Sequence, residues 1–111
     1  ISGAEKTDGG GMYLNNSNPI LSHVSITDNE GSSGGGMYLS NSNPILSHVS
    51  IVDNVGYFNG AMKLYDSSPT LIHVTIAGNS TEFNGPFPSS AITLLNSYPN
   101  FINSIIKSKV L

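Results

Sequence analysis

Gly9 to Ser33 reads GGGMYLNNSNPILSHVSITDNEGSS and Gly34 to Phe58 reads GGGMYLSNSNPILSHVSIVDNVGYF, identical at 20 of 25 positions by direct count. Asn59 opens a looser third copy, NGAMKLYDSSPTLIHVTIAGN, and a fourth starts near Ser89 as SSAITLLNSYPNFINSII. Pro19, Pro44 and Pro69 hold a register of 25, and Pro99 follows after 30, which places five extra residues in an insertion over 80–88. Residues 1–8, ISGAEKTD, align with Ile26 to Ser33, so the sequence starts part-way round a repeat. Self-similarity at a fixed short period is the signature of a solenoid, in which each unit buries its apolar face only by stacking on the next.

The content of the period decides which solenoid. Gly triplets, Asn-Pro and β-branched alternation are strand and turn signals, and the leucine-rich consensus LxxLxLxxN is absent. Met-Tyr-Leu, Pro-Ile-Leu and Val-Ser-Ile recur in each copy, predicting three short strands per coil stacked in parallel about 4.8 Å apart. Met12, Met37, Met62 and Ile92 are expected inward with Leu14, Leu39, Leu64 and Leu94, as are Val24, Val49 and Val74 with Ile26, Ile51, Ile76 and Ile106. Leu21, Leu46, Leu71 and Phe101 form a further apolar ladder. The expectation is one all-β domain over 1–111, a parallel β-helix of about four and a half coils starting near 9, 34, 59 and 89. Parallel crossovers are overwhelmingly right-handed, and so is the expected hand.

The residues that open and close these strands resemble a known family. A Gly-Gly-small-apolar strand start (Gly34-Gly35-Gly36-Met37, Gly60-Ala61-Met62, Ser90-Ala91-Ile92) pairs with an apolar-x-x-Asn strand end (Ile26 to Asn29, Ile51 to Asn54, Ile76 to Asn79). This is similar to the repeats of polymorphic outer-membrane proteins and related bacterial surface proteins within the pectate-lyase-like β-helix group. Ile stands where those repeats carry Phe, and Gly11 and Gly36 where they prefer Ala. The resemblance implies a secreted or cell-surface location, bacterial in origin; β-helix repeats serve adhesins, lyases and passive stalks alike.

Composition excludes several functions. Charged residues are 10% of the chain against about 25% in an average protein. Four lysines and no arginine give a net charge of −3, so no basic surface exists to neutralise phosphates and no nucleic-acid partner is expected. Cysteine is absent, no apolar run approaches the ~20 residues of a membrane span, and no basic-then-apolar leader opens the sequence, which reads as a mature protein or an excised segment. The low charge follows from the period, because a charge written into the repeat is copied about 4.8 Å away in every coil.

Candidate sites are few. Asn29, Asn54 and Asn79 read as a structural ladder at a turn, where Asn tolerates left-handed geometry and pairs with amides of adjacent coils. His23, His48 and His73 would stack along the axis; two rings could converge on zinc only at N–metal distances near 2.0–2.1 Å, and charging the stack predicts a loss of stability below about pH 6. Asp28 and Asp53 are the only carboxylates read as stacked by the repeat and offer a weak calcium candidate. The stretch Gly31 to Gly36 lacks the Lys-Ser/Thr of a phosphate cradle and reads as a turn. Tyr13 and Tyr38 stack outward, while Tyr57, Phe58, Phe83 and Phe87 gather near the third turn and the insertion, a candidate interaction surface that either covers its own coil or meets a protein or a glycan.

Three functional classes follow. A polysaccharide lyase of this fold needs a strong base near calcium, and a hydrolase needs two differentiated carboxylates; neither pattern is present, so no catalytic residue and no cofactor is expected. A structural protein, either a shaft or a subunit that stacks through its ends, fits the repeat. A glycan-binding module on the aromatic face is the third.

Overall fold

The computed structural model describes residues 1–82 and 91–107. A short strand β1 (Glu5–Asp8) precedes the first full coil, β2 (Met12–Asn15), β3 (Ile20–Ser22), β4 (Ser25–Thr27) and β5 (Glu30–Ser33). The second coil comprises β6 (Met37–Ser40), β7 (Ile45–Ser47), β8 (Ser50–Val52) and β9 (Val55–Gly56). The third comprises β10 (Met62–Tyr65), β11 (Thr70–Ile72), β12 (Thr75–Ala77) and β13 (Ser80–Thr81), and the fourth β14 (Ile92–Leu95), β15 (Asn100–Ile102) and β16 (Ile105–Ile106). Equivalent strands stack in parallel into four four-stranded sheets, β14-β10-β6-β2, β15-β11-β7-β3, β16-β12-β8-β4 and β1-β5-β9-β13. No helix among the described residues is long and apolar enough to cross a membrane.

Two expectations are corrected. The first three coils carry four strands each, not three, because Glu30–Ser33 and its equivalents form a sheet of their own despite having no apolar alternation. Three full turns separate β2 from β14 with part-coils beyond them, slightly fewer than four and a half.

The corners explain why so short a repeat closes. Most changes of sheet are made by one residue with φ between 47 and 70°: Asn16, Asn41, Asp66 and Asn96 at the first corner, and His23, His48, His73 and Asn103 at the second. Gly3, Asp28, Asp53 and Gly78 make the third, and Gly9 and Gly34 the fourth. Asn, Asp and His are the non-glycine residues most tolerant of that region, which is why they recur at these places. At Gly34 the demand is absolute, since a Cβ would collide with the Met37 carbonyl. Pro19, Pro44 and Pro69 sit just before the second sheet, where the missing N–H is not needed while the carbonyl accepts from the next coil, as in Ile45 N–H to Pro19 O at 3.1 Å.

Alternation then fills the interior. Met37, Leu39, Leu46, Val49, Ile51, Met62, Leu64, Leu71, Val74 and Ile76 are all buried, and each stands in register with its equivalent one coil away, as Met37 does with Met12 and Met62. Burying a side chain of this size stabilises by roughly 1.5–3 kcal/mol. In the first coil Met12, Leu14, Leu21 and Val24 are half-buried, while Ile26 is fully buried because Ile1 to Gly3 lie along β4: Thr27 N–H donates to Ile1 O at 2.9 Å and Gly3 N–H to Asp28 O at 3.1 Å. In the fourth coil Leu94, Phe101 and Ile106, expected inward, are exposed.

Candidate functional site

The asparagine ladder is interior. Asn54 Oδ1 accepts from both the backbone N–H and Nδ2 of Asn29, each at 3.0 Å, and Asn54 Nδ2 donates to Ile26 O and to Asn79 Oδ1, each at 3.0 Å. All three asparagines are buried, and their polar groups are satisfied between coils, as burial requires. The expectation of left-handed geometry belongs one residue earlier, to Asp28 and Asp53. Serine does the same service at another corner, with Ser17, Ser42 and Ser67 N–H each donating to the hydroxyl of Ser42, Ser67 or Ser97 in the coil that follows.

The histidines do stack. Their rings lie 4.9 Å apart and nearly parallel between His23 and His48, then 5.0 Å apart and tilted by 30° between His48 and His73. Ser22 and Ser47 hydroxyls hold the Nδ1 atoms of His23 and His48 at 2.7 and 2.9 Å. Parallel rings about 5 Å apart aim their nitrogens in the same direction, not at a common point 2 Å away. Among the described residues no three His, Asp or Glu side chains are grouped to hold a metal ion. Asp28 and Asp53 are exposed corner residues, and the Asp53 carboxylate lies over Gly78, in the space where a side chain there would go.

The outer face of the first sheet carries an aromatic column. Tyr13 and Tyr38 are 5.2 Å apart by ring centroid, and Lys63 Nζ sits 5.2 Å from the Tyr38 ring, within cation–π range. Burial is the main cause of a raised Tyr38 pKa, with Asp8, Tyr13 and Tyr65 adding to it. Tyr65, itself exposed, therefore belongs to this face. Tyr57 and Phe58 form an edge-to-face pair at 4.7 Å; Phe83 and Phe87 lie outside the described residues.

A second feature was not read in the sequence. Along the fourth sheet Glu5 stands in direct register with Glu30, and with Glu82, Lys6, Ser32 and Tyr57 they line a concave site of about 420 Å³. Backbone pairing assembles it, Tyr57 N–H donating to Gly31 O at 2.9 Å and Glu82 N–H to Gly56 O at 3.0 Å. Asp28 and Asp53 are thus not the only stacked carboxylates. The signal was available, since Glu5 and Glu30 are 25 residues apart, but Val55 breaks the column and hides it.

Parallel four-sheet coils, neutral inter-coil ladders and a short period agree with a match of residues 2–110 to a family model described as a right-handed β-helix region. The chain belongs to the right-handed β-helix family. No curated protein and no solved structure matches it. Within this β-helix the sequence-predicted residues fall into separate places: the asparagines inside, the histidines and aspartates at two different corners, and the tyrosines on one outer sheet. Among the described residues, side chains gather on an accessible surface at the Tyr13–Tyr38 column, the His23–His48–His73 stack, the Tyr57–Phe58 pair and the Glu5–Glu30 groove.

Proposed function

We propose that this β-helix is a non-catalytic structural protein, secreted or displayed on a bacterial cell surface, acting as a shaft or as a subunit that assembles through its ends. The observation that carries the reading is the asparagine ladder: a buried, fully satisfied hydrogen-bond column spends the most ordered polar groups of the molecule on joining one coil to the next. The repeated His and Asp side chains meet near-identical surroundings in successive coils, which supports a scaffold over a site where acid and base must differ. The extracellular, bacterial location rests on the resemblance of the repeat to surface-protein repeats.

A panel of neutral and acidic polysaccharides tests it, followed by reducing ends and by the ultraviolet absorbance of unsaturated products. No product is expected. Turnover that disappears in Glu30→Gln would overturn the non-catalytic reading, because Glu30 lies between Glu5 and Glu82 among the carboxylates that line the groove.

A second reading, glycan binding, is favoured by the Tyr13–Tyr38 column, whose rings present flat apolar faces beside the polar groups of Lys63 and Asp8. A glycan array decides it: binding lost in Tyr13→Ala/Tyr38→Ala supports the module, and binding unchanged by that pair removes it.

A further inference from the structure

Charge is not spread evenly round the coil. Of the seven acidic residues, all but Asp66 lie on one side: Glu5 and Asp8 in β1, Glu30 in β5, Glu82 directly after β13, and Asp28 and Asp53 at the corner that leads into the fourth sheet. Each of these six is exposed. Among the described residues Lys6 in β1 and Lys107 just after β16 stand against them, while the strands of the second and third sheets contain no charged residue. Glu5 and Glu30 stand in direct register, a like-charge pairing that costs stability unless a counter-charge offsets it. The middle of this side is concave, the site of about 420 Å³ described above. Its wall is Tyr57, whose ring packs edge-to-face on Phe58 and is 46% exposed.

We propose that this side of the β-helix docks a basic polypeptide segment, with one arginine side chain seated in the groove between Glu30 and Tyr57. A carboxylate beside an aromatic ring offers a guanidinium both of the contacts it makes best: charge-assisted hydrogen bonds to the oxygens and stacking on the ring. Ser32 and Thr7 add hydroxyl groups close by, Ser32 lining the groove with Thr7. A single metal ion fits less well, because among the described residues no three carboxylates are grouped to hold one. A small organic cation would fill the groove but leave the flanking carboxylates unmatched, from Asp28 and Asp53 at the third corner to Asp8 at the far end of β1. A polypeptide with several basic residues matches them all, and complementary charge of this extent steers encounter and fixes orientation. The outer face of a sheet is left open by axial stacking, so a lateral partner is compatible with the scaffold reading and goes beyond it.

Fluorescence anisotropy of a labelled hexa-arginine peptide, titrated with the full chain at physiological ionic strength, reads the result. Saturable one-to-one binding is expected, weakened roughly threefold or more by Glu30→Gln and unchanged by Asp66→Asn at the first corner, away from the fourth sheet. A hexa-lysine peptide should bind roughly twofold or more weaker, and Tyr57→Ala should erase that difference, because the planar guanidinium stacks on the ring better than an ammonium does. Circular dichroism confirms that each variant is folded. No saturable binding, an equal loss in Asp66→Asn and Glu30→Gln, an arginine preference that survives Tyr57→Ala, or displacement of the peptide by calcium beyond the effect of matched salt would each overturn the proposal. None of these outcomes bears on the polysaccharide panel, so the structural reading stands or falls separately.

Discussion

Leu39 and Leu94 are the same residue at the same place in their coils, in register through Leu64. Leu39 is fully buried and Leu94 is 47% exposed. The first coil makes the same point within itself, since Ile26 is buried beneath Ile1 to Gly3 while Leu14 is half-buried. Burial in this molecule is therefore supplied by the neighbouring coil, and a residue's contribution depends on whether it has a coil on both sides.

The largest expected effect lies where both sides are filled. Asn54→Ala removes the acceptor of the Asn29 N–H, one of the two acceptors of Asn29 Nδ2 and the side-chain donor to the Ile26 carbonyl in the interior, so urea unfolding should show a loss of about 3 kcal/mol. Ser104→Ala in the exposed coil, which removes the acceptor of Val74 N–H, should cost only about 1 kcal/mol. A smaller contrast follows for packing. Leu39→Ala should cost about 3 kcal/mol and Leu94→Ala under about 1 kcal/mol in the monomer; equal costs would break the comparison between middle and end.

The remaining prediction concerns pH. The smallest effect is alkaline: burial of Tyr38, aided by Asp8, makes the folded state hold the phenol proton more tightly than the unfolded chain. That contribution is complete below the ordinary tyrosine pKa of about 10 and is lost as pH rises through the raised folded value. Tyr38→Phe should flatten the alkaline limb of a stability–pH curve, and an unchanged limb would assign it elsewhere.

Where apolar residues alternate with polar ones, the sequence was readable to the residue: Met37, Leu39, Val49 and Ile51 are buried as their period requires. The fourth sheet was not readable, because Glu30–Ser33 and Val55–Gly56 hold their places by backbone pairing to neighbouring coils, and backbone groups leave no mark in composition. The same cause hid the Glu5–Glu30 groove. The corner residues were half-legible. His, Asp and Asn recurred visibly, but that His23 and Asp28 share one backbone conformation emerges only from the path of the chain. Exposure at Leu94 and Ile106 could not be read from local pattern at all, since it depends on what lies beyond the fourth coil.

Amide hydrogen exchange tests the dependence of protection on neighbouring coils most directly. Amides from Met37 to Ala77 should be strongly protected and those from Asn100 to Ile106 weakly so. Uniform protection of all coils would contradict it.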